Sequence, residues 1–375
     1  MPGRPRRGRS PAFAAVPSRG TVLDHAGRGE ARHLRQGGAE VRARPKEGRP
    51  YVPARWLPGP HLMTIYARFA RSTPRLASSR LRVELPDGDF VDVDRFPGLA
   101  PDAPLAVVCH GLEGSSRSPY VRHFALRAQM AGFAVAALNF RGCSGAPNRL
   151  PRSYHAGETG DLDEVVRRLC AERPGRAMAV AGFSLGGNVV VKWLADLAHT
   201  LPSEVRAGAV VSAPFDLGRC ADALDAPGLL PRLYRERLLR TLRAKAVAKA
   251  RRFPGVLDAA AVRAARRLRR FDDLVTAPLH GFTSAEDYYR RASSGPDIAG
   301  VKTPLLALSA ADDPMIPADT IPQEGARANP AVTLEVQPAG GHVGFVSGVP
   351  WRAIFWAEQR TVAFLASAVG LAARE

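Results

Sequence analysis

From Leu81 onward, short apolar runs alternate with longer stretches in which apolar residues recur every three or four positions. The first pattern is that of strands buried on both faces, the second that of helices packed on one side. Leu81–Leu85 and Phe90–Arg95 read as strands joined by the turn Pro86-Asp87-Gly88-Asp89, an antiparallel hairpin at a sheet edge. An alternating series follows. Strands are predicted at Leu105–Cys109, Phe133–Asn139, Ala177–Gly182 and Ala207–Ser212, and helices at Tyr120–Ala131, Leu162–Cys170 and Gly187–His199. This rhythm predicts an α/β fold with a mainly parallel central sheet and helices on both faces.

The rhythm stops at Pro214. Up to about Tyr289 the chain reads as helical and Arg-rich, without a strand, so a helical cap inserted over about residues 216–290 is expected. In it Leu257, Ala261, Ala264, Leu268 and Phe271 are expected to line one face of a helix. Arg263, Arg266, Arg267 and Arg270 are expected to line another. Such a stripe is either a solvated face or an attraction for an anionic membrane surface or an acidic substrate. The alternation resumes with strand Pro304–Ser309, helix Gln323–Ala328, strand Val332–Gln337 and a final helix Trp351–Ala368.

The net charge of +18 suggests nucleic acid until it is located along the chain. Residues 1–50 hold twelve Arg and Lys against four Asp and Glu, and residues 235–270 hold thirteen against two. The rest is close to neutral. Neither basic segment carries a zinc-finger or aromatic RNA-binding pattern, so no nucleic-acid partner is expected. Residues 1–50 are rich in Arg, Gly, Pro and Ala and have no period. They bury too little apolar surface to offset ordering, and disorder is expected there, with a folded domain over 51–375. No run of apolar residues is long enough to span a bilayer and no signal-peptide core is present, which predicts a cytoplasmic protein. Cys109, Cys143, Cys170 and Cys220 follow no metal or redox spacing and read as free thiols, Cys143 being the one near the expected chemistry.

That chemistry centres on Gly182-Phe183-Ser184-Leu185-Gly186, which lies between a predicted strand and a predicted helix. In this setting G-x-S-x-G reads as a sharp turn presenting Ser184 at the end of the sheet. A serine hydroxyl needs a base, and the base needs an orienting carboxylate. Three histidines follow Ser184. His199 ends the next helix, His280 falls in the cap, and His342 sits in Gly340-Gly341-His342-Val343-Gly344-Phe345, just after the last predicted strand. Ligands meet an open α/β sheet at the carboxyl ends of its strands, which selects His342. The acid is expected after strand Pro304–Ser309, where Asp312 and Asp313 are adjacent. The pattern that recurs on such sheets, an acid four residues before a proline, favours Asp313 and leaves Asp312 as a loop brace. The Leu185 N–H and the Leu112 N–H, the latter in the loop His110 to Ser116, are candidate donors to an oxyanion. His110 precedes the serine and reads as a loop brace.

Several longer motifs point to a family. Trp56 to Ile65 resembles the N-terminal segment of the YheT-like branch of the α/β-hydrolase superfamily, with Met63 where glutamine is usual. The loop His110 to Ser116, Asn139 to Gly145, Tyr154 to Thr159, Gly182 to Asn188, Ser212 to Leu217 and Gly340 to Phe345 resemble its other signatures. This branch is related to embryogenesis-associated plant proteins and lung-type α/β-hydrolase-domain proteins of animals. The resemblance covers about Tyr51 to the C-terminus. It implies an α/β-hydrolase fold and serine hydrolase chemistry on carboxylic esters or acylglycerols, with no metal or organic cofactor. Carried over by motif, its triad falls on Ser184, Asp313 and His342. The alternatives are an acyltransferase using the same residues with an alcohol or lysolipid acceptor, and a non-catalytic binding protein on the same fold. Oligomeric state is not readable from the sequence.

Overall fold

In the computed structural model, which describes residues 50–371, β1 (Ser79–Glu84) and β2 (Phe90–Phe96) form the antiparallel edge hairpin that the sequence predicts, with Glu84 opposite Phe90. The basic N-terminal segment expected to be disordered lies outside the described residues. Strands β3 (Leu105–Cys109), β4 (Ala134–Asn139), β5 (Met178–Phe183), β6 (Val205–Val211), β7 (Leu305–Ala310) and β8 (Val332–Gln337) complete one sheet in the order β1-β2-β4-β3-β5-β6-β7-β8. All pairings from β4 to β8 are parallel, and β2 meets β4 antiparallel.

The central strands are buried on both faces, so their sequences are continuously apolar. Their side chains still divide by the two-residue period of a strand. Met178 and Val180 of β5 join one core; Ala179, Ala181 and Phe183 join the other. The first core includes Leu162 and Val165 of α3 (Gly160–Glu172) and Val190 and Trp193 of α4 (Leu185–Asp196). The second includes Phe124 of α2 (Pro119–Met130) and Leu365 of α12 (Trp356–Ala368).

Helix α1 and the hairpin of β9 and β10 were not predicted. Helix α1 (Pro60–Phe69) begins with a proline at its first turn and buries Met63, Thr64 and Ala67. The expected final helix over Trp351–Ala368 is shorter than predicted. Its first five residues instead include β10 (Arg352–Phe355), which pairs with β9 (Val346–Val349) in a small separate hairpin, and α12 starts at Trp356. Pairing with Val346–Val349 captures a stretch whose own pattern is ambiguous.

Between β6 and β7 lies the helical cap: α5 (Leu217–Asp225), α6 (Leu229–Arg252), α7 (Ala259–Ala264), α8 (Leu268–Phe271), a π-helical turn at Asp272–Thr276, α9 (Ala277–His280) and α10 (Ala285–Ala292). It has its own core, including Leu224, Tyr234, Leu239, Val262, Leu268 and Phe271. The arginine stripe does not form as predicted. The expected helix over Leu257–Phe271 is broken at Ala265–Arg267, where the backbone is extended, and Ala264 is exposed while Val262 is buried. Arg263, Arg266, Arg267 and Arg270 are exposed, but they are spread over two short helices and their linker. Helix α11 (Gln323–Ala328) precedes β8.

Candidate active site

Ser184 stands between β5 and α4 with φ 52° and ψ −124°. For a residue with a Cβ this conformation costs on the order of 1–3 kcal/mol, which the surrounding packing must sustain. The flanking glycines permit that packing. A Cβ on Gly186 would lie 2.5 Å from the His110 carbonyl oxygen and 2.6 Å from that of Cys109. A Cβ on Gly182 would meet the Gly186 carbonyl oxygen at 2.4 Å. The turn is therefore wedged against the end of β3. Asn188 ties the same helix outward: its amide donates to the carbonyls of Ala156 at 2.9 Å and Ala292 at 2.7 Å, and its oxygen accepts from the Ser294 N–H.

The structure brings Ser184, His342 and Asp313 together. His342 Nε2 is 2.9 Å from Ser184 Oγ, and His342 Nδ1 is 2.9 Å from Asp313 Oδ2. The Asp313 side chain is 1% exposed and that of His342 14%, so the carboxylate is shielded while the imidazole edge stays reachable. Asp313 Oδ1 accepts the N–H groups of Met315 at 2.8 Å and Ile316 at 3.2 Å, which fixes which oxygen faces the imidazole. Asp312 points elsewhere, its Oδ1 accepting the Gly341 N–H at 2.9 Å. It braces the histidine loop without touching the ring.

The other histidines lie apart from this chain. His199 is exposed against Lys302. His280 lies between the Thr276 and Ser153 carbonyls. His110 is buried, with Nδ1 2.7 Å from the Gly111 carbonyl and Nε2 accepting the Phe140 N–H at 3.2 Å. Burial pushes its pKa down to about 4, so it is a neutral strut.

The His110–Ser116 loop presses on the serine. A Cβ on Gly111 would lie 3.0 Å from Ser184 Cβ. The Gly111 N–H donates to Tyr120 Oη and the Glu113 N–H to Tyr154 Oη, each at 2.8 Å. Between these two anchored amides, the Leu112 N–H donates to no group among the described residues; the same holds for the Leu185 N–H at the start of α4. Glu113 has φ 56°, and its carboxylate takes hydrogen bonds from Tyr154 and from Lys245 of the cap, each at 2.9 Å. The Cys143 Sγ is 3.4 Å from Lys245 Nζ, and burial pushes its thiol up to about 11, so it stays protonated. All four cysteines are free.

Sequence reasoning missed the supports of the histidine loop. Thr64 Oγ1 on α1 accepts the His342 N–H at 2.9 Å and donates to the Pro60 carbonyl at 2.7 Å. Ser212 Oγ, just past β6, accepts the Val343 N–H at 3.1 Å. Val343 itself has φ 54°, a costly conformation for a β-branched residue. Thr64 and Ser212 lie inside motifs that resemble the family's, but nothing local announces a partner 278 or 131 residues away. Arg141, just past β4, is buried and forks onto Asp161 at 2.7 Å twice and onto Asp87 at 2.7 Å. Among the described residues no cluster of His, Cys, Asp and Glu is arranged to hold a metal ion, and no helix is long and apolar enough to cross a membrane.

Comparison with known proteins agrees with this architecture. The family model of the alpha/beta hydrolase fold matches residues 104–349. The YheT protein of Escherichia coli K12 is 39% identical over 314 residues, covering 83% of this chain and 91% of its own length. Phospholipase ABHD3 of Mus musculus is 30% identical, covering 80% of this chain and 74% of its own. The monoacylglycerol lipase of Saccharomyces cerevisiae is 32% identical, with 67% and 57% covered. On its sheet order, its serine turn and these likenesses together, the chain belongs to the α/β-hydrolase family, in the esterase- and lipase-type branch that includes YheT.

Proposed function

We propose that this protein is a serine hydrolase of carboxylic esters, a carboxylesterase or acylglycerol lipase working through an acyl-enzyme. The observation that carries this reading is the unbroken hydrogen-bond chain Ser184 Oγ–His342 Nε2 and His342 Nδ1–Asp313 Oδ2, each link 2.9 Å, on a strained strand-to-helix turn. In the proposed reaction, Ser184 Oγ attacks the ester carbonyl while His342 Nε2 accepts its proton. Asp313, held by the Met315 and Ile316 amides, keeps the other ring nitrogen protonated and stabilises the imidazolium. The oxyanion meets the Leu112 and Leu185 N–H groups, which need no reorganisation to receive it. His342 then returns the proton to the leaving alcohol, which departs. Water, deprotonated by the same nitrogen, attacks the acyl carbonyl and restores Ser184.

A fluorophosphonate probe and a graded series of p-nitrophenyl esters and monoacylglycerols test the proposal. The protein should be labelled at Ser184, and Ser184→Ala should lose labelling and at least about 10³-fold in turnover while keeping its fold. A folded Ser184→Ala variant that keeps a tenth of the activity would rule the assignment out.

A further inference from the structure

Helix α1 has two faces with different duties. Its inner face carries Thr64, which holds the His342 loop. Its outer face carries Leu62, Ile65 and Phe69, spaced 3 and 4 residues apart along one side. Leu62 is 49% exposed and Phe69 64%. Helix α6 of the cap runs beside it: His61 Nδ1 is 3.0 Å from Tyr234 Oη, and the Arg237 guanidinium lies 5.0 Å from the Phe69 ring centre. The first turns of α6 add Leu229, 71% exposed, and Leu233, 55% exposed. Two helices that both touch the candidate active site thus turn apolar side chains to solvent. Single exposed apolar residues are ordinary, whereas a set shared by two adjoining helices marks a contact surface.

The carboxylates nearest this surface, Asp225 and Glu236, face Arg235 and Arg243, which leaves an excess of positive charge. Arg68, Arg237 and Arg240 are exposed, and none forms an ion pair among the described residues. They crowd each other: burial, and then the charges of Arg68 and Arg240, hold Arg237 below the usual guanidinium pKa. By contrast, Arg141, Arg149 and Arg269 are each paired with carboxylates. An apolar face ringed by unpaired cations is suited to an interface in which acyl chains lie beneath negative headgroups. A second copy of the chain would bring the same cations to the interface and would be repelled.

We propose that the outer faces of α1 and the start of α6 dock this protein onto an anionic lipid surface, which sets the active site against membrane-borne esters. Only the consequence for substrate rests on the ester-hydrolase reading; the docking itself does not. Arg267 lines the same cavity as Leu229 and borders this surface, whereas Arg263 and Arg266 lie on α7 and the linker after it.

The test is co-sedimentation of the full chain with vesicles of phosphatidylcholine alone and of equal parts phosphatidylcholine and phosphatidylglycerol, at low and high salt. Binding is expected only to the anionic vesicles, weakening as salt shortens the screening length. Arg68→Glu with Arg237→Glu should weaken it by at least about 25-fold, roughly fivefold for each cation lost. Leu62→Ser with Phe69→Ser and Leu233→Ser should abolish it, with the protein still folded in thermal melts because none of the three lies in a buried core. Arg263→Glu with Arg266→Glu, of equal charge change, should retain most of the binding. Hydrolysis of soluble p-nitrophenyl butyrate should stay within about twofold in every variant. Absence of wild-type binding at low salt would overturn the proposal. So would equal loss in the Arg263→Glu with Arg266→Glu variant, or a wild-type dimer that Leu62→Ser with Phe69→Ser and Leu233→Ser dissociates, which would make the face a self-interface. A wild-type protein that binds vesicles but hydrolyses no ester would instead remove the ester-hydrolase reading and leave the docking surface standing.

Discussion

Replacing Asp313 by asparagine isolates one hydrogen atom. Asp313 Oδ1 accepts two backbone N–H groups, from Met315 at 2.8 Å and Ile316 at 3.2 Å. An asparagine must keep its carbonyl oxygen on that side, because its amide there would set donor against donor twice. Its NH₂ then faces His342 Nδ1, 2.9 Å away in the native protein. The imidazole can accept that hydrogen bond only by giving up its proton at Nδ1 and carrying it on Nε2 instead. Nε2 is the nitrogen 2.9 Å from Ser184 Oγ, so the proposed base arrives already protonated. The carboxylate that would stabilise an imidazolium is also gone. A loss of about 10³–10⁴ in kcat is expected, equivalent to about 4–5.5 kcal/mol of barrier. Asp312→Asn is the matched control. Its Oδ1 accepts a single N–H, from Gly341 at 2.9 Å, and an amide oxygen serves equally well, so less than about a tenfold loss is expected. Initial rates on p-nitrophenyl butyrate, with thermal melts to confirm folding, compare the two. If Asp312→Asn were the more damaging of two folded variants, the role given to Asp313 would be wrong.

Three further outcomes are expected. Thr64→Val keeps shape but leaves the buried His342 N–H without its acceptor, at a cost of about 1–3 kcal/mol. In steady-state kinetics it should lower kcat with little change in KM, and Thr64→Ser should restore the rate. Gly186→Ala forces a methyl group against the carbonyls of His110 and Cys109 and should destabilise the protein by about 3 kcal/mol or more in urea titration, a native-like midpoint refuting the wedge argument. His110 links pH to stability. Its folded pKa, about 4, lies below the unfolded value of about 6.5, so its contribution is present above pH 6.5 and is lost as pH falls toward 4. His110→Gln should flatten the pH dependence of unfolding in that window by about one proton, and an unchanged slope would count against the buried neutral histidine.

Much of the architecture was written in local patterns. Nearly continuous apolar runs in β3 to β7 announced strands covered on both sides, with polar residues confined to positions at or next to strand ends, as Asn139, Arg206 and Ser309 are. The loss of that rhythm after Pro214 announced the cap. Ser184, His342 and Asp313 followed from strand ends and chain order, and the structure places them within hydrogen-bond reach of one another. The proline spacing that favoured Asp313 over Asp312 corresponds to a turn in which the Asp313 carboxylate is held by its own loop.

What tertiary structure alone decided involves partners far apart in the chain. The hairpin of β9 and β10 exists because Arg352–Phe355 pairs with Val346–Val349, a gain that a helical period over Trp351–Ala368 does not register. The break at Ala265–Arg267 came from packing within the cap core, which buries Val262 in place of Ala264 and scatters an arginine stripe that an unbroken helix would have aligned. Thr64 meets His342 across 278 residues, and Lys245 meets Glu113 across 132. Periodicity reports which face of an element is buried because that depends on neighbours three or four residues away. Which element covers that face, and which polar atom receives a given N–H, depends on the whole chain closing on itself.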